Sequence, residues 1–313
     1  MKSLSRWRRT AARPLDALVA NLAAGLEGDA DALHAARVAS RRVRALVAIL
    51  RESLGRRRYR KLVRRLRRIT SLLGRVRELD VSLALIDDAA AANPRFVARM
   101  DAVRGALMAE RQEALAEAAR KGLPRTAAKV RERLSATLEA FEREKRDWNR
   151  AAADELVRRA RRLQAAVNRA QISYDADRLH LSRVALKRFR YVVELASDGR
   201  GQPARRQLAV LRHAQDLLGR MHDLDVLVHR IRAAADTRAE TVTDTLDKEA
   251  RELHAEYLTR RPRLVAVIKQ CKERFGASAA VTRRATGTAG AVRLHQRHHR
   301  EVRSAVARNR ASD

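Results

Sequence analysis

The stretches "LHAARVASRRVR" (residues 33–44) and "LHLSRVALKRFR" (residues 179–190) decide the fold between them. Each begins with a leucine and a histidine and then places cations at the same intervals. A second block, "LLGRVRELDV" at 72–81, returns as "LLGRMHDLDV" at 217–226. Two blocks that recur in the same order, about 146 residues apart, indicate the duplication of one structural unit.

Apolar residues between these blocks follow the spacing of a helix. Ala, Leu, Arg and Glu dominate, and the chain has only 12 Gly and 5 Pro among 313 residues. This composition favours helix almost throughout, so we predict an all-α fold. The clearest buried face has three-or-four spacing and comprises Leu62, Leu66, Ile69, Leu73, Val76 and Leu79.

Turn and cap signals divide the chain into helices. We predict helices over 14–26, with Pro14 at its start, and from an N-cap at Asp31 to about Leu54, before a break at Gly55. Further helices are predicted from 58 to the turn at Asn93-Pro94, from 95 to about 122, over 125–170, and over 263–275, which Pro262 starts or kinks. With a connector at 171–178, each half holds about four helices. We therefore expect two related four-helix bundles within residues 1–275, one from about 10 to 170 and one from 171 to 275, and a flexible basic tail over 276–313.

Charge is the dominant property of the composition. Lys and Arg number 69 against 37 Asp and Glu, which gives a formal net charge of +32. Such an imbalance repels itself unless an anion neutralises it, so the expected partners are nucleic acid, an anionic membrane surface or a polyanion such as polyphosphate. One cysteine permits no intrachain disulfide, and neither a signal peptide nor an apolar run of eighteen residues is present. We expect a cytoplasmic protein without a transmembrane segment.

The charge is concentrated on particular helix faces. At 100° per residue, His34 and three cations after it share one sector of their helix, and the sequence around His180 repeats that sector. A solvated face has no reason to preserve this pattern twice, which favours anion binding over mere exposure. The next helix of each half carries further cations on one face. The candidates are His34, Arg37, Arg41, Arg44, His180, Arg183, Lys187 and Arg190 on the first helix pair, and Arg60, Arg67, Arg75, Arg205, Arg212 and Arg220 on the second.

Acids and glycines also recur within the repeated blocks. Asp80 and Asp225 are expected either to form salt bridges that offset repulsion or to hold an arginine or histidine towards a ligand. Gly74 and Gly219 lie within predicted helices, where each costs about 1 kcal/mol relative to Ala. The close approach of another helix, or of a ligand, accounts for that cost.

The doubled histidine block, each copy followed by LGR and LDV, resembles the CHAD family, the conserved histidine α-helical domain, over about residues 10 to 275. The resemblance implies two four-helix bundles related by a pseudo-twofold axis, a basic cavity between them, and binding of inorganic polyphosphate with targeting to polyphosphate granules. It adds Arg42 and Arg188 to the binding positions. The chain departs from its own repeat at Arg77 versus His222 and at Arg64 versus Ala209, so the repeat supports these positions as contacts less strongly than the others.

Three functions remain in competition at this stage. The leading prediction is a stand-alone, non-enzymatic polyphosphate-binding module without cofactor or metal, because no Glu-x-Glu-x-Lys strand precedes the first helix. Nucleic-acid binding is the alternative, although aromatic residues make up only 3% of the chain and offer little for base stacking. A polyphosphatase needs clustered carboxylates that hold a divalent metal, a pattern the sequence lacks. His222 and His229, seven residues apart, are weak indicators of a metal.

Overall fold

The computed structural model describes residues 5–92, 97–170, 172–197, 202–233 and 240–309, without the side chains of 92, 97–99, 202–204, 240 and 276–309. Every regular element in these ranges is a helix, which confirms the predicted all-α class. The helices are α1 (Arg6–Leu26), α2 (Ala30–Ile49), α3 (Arg51–Ala92), α4 (Val97–Arg120), α5 (Leu123–Arg143), α6 (Trp148–Arg169), α7 (Ala176–Ser197), α8 (Gln202–Ala233) and α9 (Glu240–Asn309).

Helix α1 begins two turns before the predicted start. Pro14 is a buried residue inside the helix, not its first turn. Tertiary contacts explain the extension, since Trp7 stacks on Trp148 with ring centroids 5.1 Å apart. Arg8 adds ion pairs to two glutamates of α5, at 2.6 and 2.9 Å. These contacts outweigh the local signal that proline gives for a helix start.

The boundary between α2 and α3 also differs from the prediction. The N-cap of α2 is Asp29, whose carboxylate accepts hydrogen bonds from the backbone N–H groups of Asp31 and Ala32. The predicted cap, Asp31, instead lies in the first turn of α2. α2 ends at Ile49, but the predicted break at Gly55 is confirmed: two helical segments of α3 meet there in a kink, where Gly55 adopts a φ of 66°, a left-handed conformation that favours glycine.

The single helix predicted over 125–170 is two helices, α5 and α6. Lys145 adopts a φ of 50° in the turn between them, and Asp147 caps α6 by accepting a hydrogen bond from the backbone N–H of Arg150. In α9, Pro262 lies in the interior, so it does not start a helix, and the alternative that it kinks one stays a prediction. The predicted turn at Asn93-Pro94 lies outside the described residues, as do the side chains of the predicted tail at 276–309 and the whole of 310–313.

The core confirms the predicted apolar face of α3. Its six apolar residues from Leu62 to Leu79 are at most 2% exposed. Burial of an aliphatic side chain of this size contributes about 1.5–3 kcal/mol, so this face alone fixes how α3 sits on its neighbours.

The basic helices pack against one another across the molecule. α2 packs on α1, α3 and α7, and α7 packs on α6, α8 and α2. α3 also contacts α8. The apolar faces of α2 and α7 point into the core, with Val43, Leu46 and Phe189 fully buried. The opposite faces of α2, α3, α7 and α8 therefore come together around one space.

Candidate anion-binding cleft

The space between α2, α3, α7 and α8 is a cleft of about 980 Å³. It takes residues from both copies of each repeated block. Nine predicted residues line it: Arg37, Arg41, Arg44, Arg67, Arg75, His180, Arg183, Lys187 and Arg220. The structure thus brings together cations that are up to 183 residues apart in sequence.

Two of these residues are already neutralised at the edge of the cleft. Arg75 donates to Glu110 and Glu117 of α4, at 3.4 and 3.2 Å. Arg220 donates to Glu249 of α9 at 2.8 Å. Their charges are shared with carboxylates, so they have less to offer a ligand than the cations deeper in the cleft.

The other predicted residues lie outside the cleft. His34, Arg42 and Arg212 line a second cavity of about 540 Å³ beside α1. Arg188 lines a third cavity, of about 380 Å³, and Arg60 a fourth, of about 810 Å³. Arg205 is exposed on α8.

Arg190 is buried and held by the protein itself. Its guanidinium donates to Gln215 at 2.8 Å and to the carboxylate of Glu194, and it stacks over Tyr191. Its counterpart Arg44 has Ala48 at the position of Glu194 and faces the cleft. The signal for this difference is in the sequence, because Glu194 follows Arg190 by four residues, the spacing of a helical ion pair.

The predicted acids contact residues outside the predicted set. Asp80 accepts a hydrogen bond from Arg111 of α4 at 2.6 Å, and Asp225 accepts one from the Tyr174 hydroxyl at 2.7 Å. Among the acids that line the cleft, Asp223 contacts one of its cations and lies 3.3 Å from Arg183.

Six cations of the cleft have no carboxylate partner within the described ranges: Arg37, Arg41, Arg44, Arg67, Arg77 and Lys187. Burial and the neighbouring charges of Arg41 and Arg77 lower the pKa of Arg37 to about 9, which leaves it charged at neutral pH. Burial together with Arg183 and Arg41 lowers the pKa of Lys187 to about 6. The cleft therefore destabilises its own positive charge, and Lys187 is mostly neutral at pH 7.

Hydrogen-bond donors in the cleft are also left over. The Nε atoms of Arg37, Arg77 and Arg183 are buried, and none donates to an acceptor in the described part of the chain. A buried donor without a partner costs about 1–3 kcal/mol, more for a charged group. Three such donors belong to side chains that line one cleft.

Two histidines meet at the wall of the cleft. The Nδ1 atoms of His180 and His222 lie 3.2 Å apart, so one ring donates to the other. Burial and Arg183 lower both pKa values, that of His222 to about 3. Both rings are therefore neutral at pH 7, and only the accepting ring keeps an Nε2–H for a ligand.

Two residues at which the repeats differ also line the cleft. Arg77 and His222 occupy matching positions, and the difference between them made them weaker candidates in the sequence. Their positions could have identified them as cleft residues, because each follows an LGR block at the same interval although the residue types differ. In the described ranges, no three side chains among His, Cys, Asp and Glu are placed to hold a metal ion.

Gly74 and Gly219 both line the cleft, on α3 and α8. A Cβ added to either glycine meets no atom within 4 Å. The predicted close approach of another helix is therefore wrong. The missing side chains instead widen the cleft at two matching places.

We expect Gly74→Ala and Gly219→Ala each to raise the free energy of unfolding by about 1 kcal/mol, because alanine is the better helix former and has room at both sites. Chemical denaturation measures the gain. Gly105→Ala in α4, which is equally unobstructed but outside the cleft, is the matched control and is expected to give the same gain. A loss of stability at Gly74 or Gly219 alone would show that something does pack there.

Fold and cleft together define the class: an all-α protein whose paired helices surround a cation-lined space. Residues 9–232 match the CHAD domain, and the chain belongs to the CHAD family. The crystal structure of the CHAD domain from the plant Ricinus communis is similar to this one, with a TM-score of 0.61 at 21% identity, over 84% of this chain and 90% of that one. No curated protein matches the chain. None of the helices described is long and apolar enough to cross a membrane.

Proposed function

We propose that the protein binds inorganic polyphosphate in the cleft, without catalysing a reaction on it. The observation that carries the proposal is the convergence of both repeats on one space, where six cations lack a carboxylate partner. Membership of the CHAD family, for which polyphosphate binding is a general property, supports the same ligand.

The chemistry of the cleft suits a chain of phosphates. A guanidinium donates two parallel hydrogen bonds to a phosphate and stays charged at any physiological pH. Arginines from α2, α3 and α7 face one space, so consecutive phosphates can each meet a different helix. Binding then removes the repulsion among the cations and releases counterions from the polymer.

We also propose that each repeat forms one bundle of helices, so that the chain folds into two bundles. α6 packs on α7 and α9, as α1 packs on α2 and α5. These contacts support a first bundle of α1 to α5 and a second of α6 to α9, which puts the boundary before α6 and not at the predicted position 170. The contacts of α2 with α7 and of α3 with α8 then lie on the pseudo-twofold axis that relates the bundles.

The arrangement of the carboxylates supports the proposal of binding without turnover. Asp223 is occupied by Arg183, and no group of three potential metal ligands exists in the described residues. Metal-assisted phosphoryl transfer needs such a group. We extend the proposal to a cytoplasmic protein that associates with polyphosphate granules, since granules present the ligand at high density.

The test is a competition assay at physiological salt. We expect long-chain polyphosphate to displace a single-stranded oligonucleotide at far lower concentration than the reverse, because the cleft has few aromatic groups for stacking bases. We also expect the logarithm of the association constant to fall with the logarithm of salt concentration. The expected slope is about −4, for six cation–phosphate contacts with a flexible single chain. Tighter binding of the oligonucleotide, or release of phosphate with Mg²⁺ or Mn²⁺, would overturn the proposal.

A further inference from the structure

The two repeats differ in charge at the start of their second basic helix. In the first half, "RRRYRKLVRRLRR" (56–68) has nine basic residues. The matching stretch of the second half, "GQPARRQLAVLRH" (201–213), has three arginines and one histidine. The duplicated scaffold is therefore strongly basic on one side only.

The additional cations of α3 surround an outer groove, the cavity of about 810 Å³. Seven residues line it, and none is acidic: Arg56, Arg57, Tyr59, Arg60, Val63, Arg64 and Arg67. The five arginines are exposed, and none forms an ion pair with the described part of the chain. Five uncompensated charges along three turns of a helix repel one another. An anion in the outer groove would reduce this repulsion, as we propose for the cleft.

A passage joins this outer groove to the cleft. It is the cavity of about 380 Å³ between α2, α3, α6 and α7. It shares Tyr59, Val63 and Arg67 with the outer groove, and with the cleft it shares Arg41, Arg44, Arg67, Arg183 and Lys187. Arg162 and Arg188 add positive charge to its walls, and no carboxylate lines it; Arg159 lines it too, but pairs with Glu155 at 2.6 Å.

The corresponding cavity on the other side contains an acid. It is the space beside α1 lined by His34, Arg42 and Arg212, and Glu194 also lines it. Glu194 lies 3.2 Å from Arg42 and pairs with Arg190 as well. Ala48 occupies the matching position in the first repeat and lines the passage. One substitution in the repeat thus adds a negative charge to one side and none to the other.

We propose that a polyphosphate chain too long for the cleft leaves it on one side only, through the passage and along the outer groove of α3. This inference rests on the proposed function of the cleft. From Arg75 to Arg57, α3 rises about 27 Å, so the cleft, passage and outer groove form one cationic path of that length. Short chains fill the cleft alone, and only long chains reach the outer groove.

The test compares two chain lengths in a variant of the outer groove. Arg56→Gln, Arg57→Gln and Arg64→Gln together are expected to weaken binding of long-chain polyphosphate about tenfold or more. The salt slope for that ligand is expected to become shallower by about 2, for three lost contacts. Tripolyphosphate, which fits within the cleft, is expected to bind the variant as it binds the natural protein.

The matched control removes the same charge elsewhere. Arg125→Gln, Lys129→Gln and Arg133→Gln lie on the exposed face of α5, at intervals of four residues. An equal loss of long-chain affinity in this control would refute the path, since total charge would then explain the effect. A loss of tripolyphosphate binding in the groove variant would also refute the path. The path would be refuted as well if the groove variant lost affinity for an oligonucleotide but kept its affinity for long-chain polyphosphate. If tripolyphosphate binding is insensitive to charge reversal at Arg37 and Arg183, the proposed function of the cleft fails instead.

Discussion

Arg37→Glu and Arg183→Glu, made together, are expected to abolish binding of long-chain polyphosphate at physiological salt. Both side chains line the cleft, one from each repeat, and both have a buried Nε–H without an acceptor in the described residues. Each hydrogen bond to a charged group contributes about 1.5–3 kcal/mol, and reversal adds repulsion from the phosphates. The expected loss in affinity is about a thousandfold or more, measured by titration calorimetry or fluorescence anisotropy.

Arg37→Glu alone is expected to unfold at a higher temperature than the natural protein, whereas Arg183→Glu loses the ion pair with Asp223. The single Arg37 variant is therefore the one that separates binding from stability. Burial, followed by the charges of Arg41 and Arg77, lowers the pKa of Arg37, so positive charge is destabilised at that position. A carboxylate at that position attracts its neighbours instead. Loss of binding in a more stable protein cannot be attributed to misfolding. Arg125→Glu with Lys129→Glu on α5 carries the same change in net charge as the double variant of the cleft and is expected to keep most of the affinity; a comparable loss there would argue against the cleft.

Affinity for polyphosphate is expected to fall as pH rises above about 6, by up to tenfold for each pH unit. Burial and two neighbouring arginines hold the pKa of Lys187 at about 6 in the free protein. A bound polyanion favours the charged ammonium and raises that pKa, so binding takes up a proton wherever the free lysine is neutral. The internal phosphates of the chain remain ionised over this range and do not oppose the trend. Titrations between pH 6 and 8.5 at constant ionic strength measure the slope.

Lys187→Arg isolates the group responsible for this pH dependence. An arginine keeps its charge throughout the range, so the variant is expected to bind with nearly constant affinity above pH 7. His180 and His222 are neutral there, because their pKa values are lowered below the ordinary value. In the free natural protein the lysine also makes the free energy of unfolding rise with pH from about 6 towards 10, since only the unfolded chain binds the proton. An unchanged pH slope in the variant would assign the proton to another group.

The all-α fold could be predicted because its determinants are local. The six apolar residues from Leu62 to Leu79 repeat at helical spacing, and the structure buries all of them. Helix boundaries were less predictable, because long-range contacts decide them. Pro14 indicates a start by its own geometry, yet Trp7 stacks on Trp148 more than 100 residues away and extends α1 by two turns. The sequence contains no sign of that partner.

The site could be predicted as a set of cations but not as a geometry. Five cations of the doubled block line one cleft, namely Arg37, Arg41, Arg44, Arg183 and Lys187, whereas Arg42, Arg188 and Arg190 lie outside it. The histidines diverge, because His180 contacts His222 in the cleft, whereas His34 lies in another cavity. Residues at matching positions of the two repeats therefore have different surroundings when the residues that face them differ.

The difference between Ala48 and Glu194 has a consequence for the geometry of the complex. A linear polyphosphate reads the same from either end, so the ligand has no direction of its own. A strictly symmetric protein would therefore let the surplus chain emerge on either flank and would form two interchangeable complexes. With a carboxylate on one flank and an alanine on the other, the protein alone sets the orientation. In the proposed complex, the surplus polymer then emerges on the same flank of every molecule, next to α3 and α6.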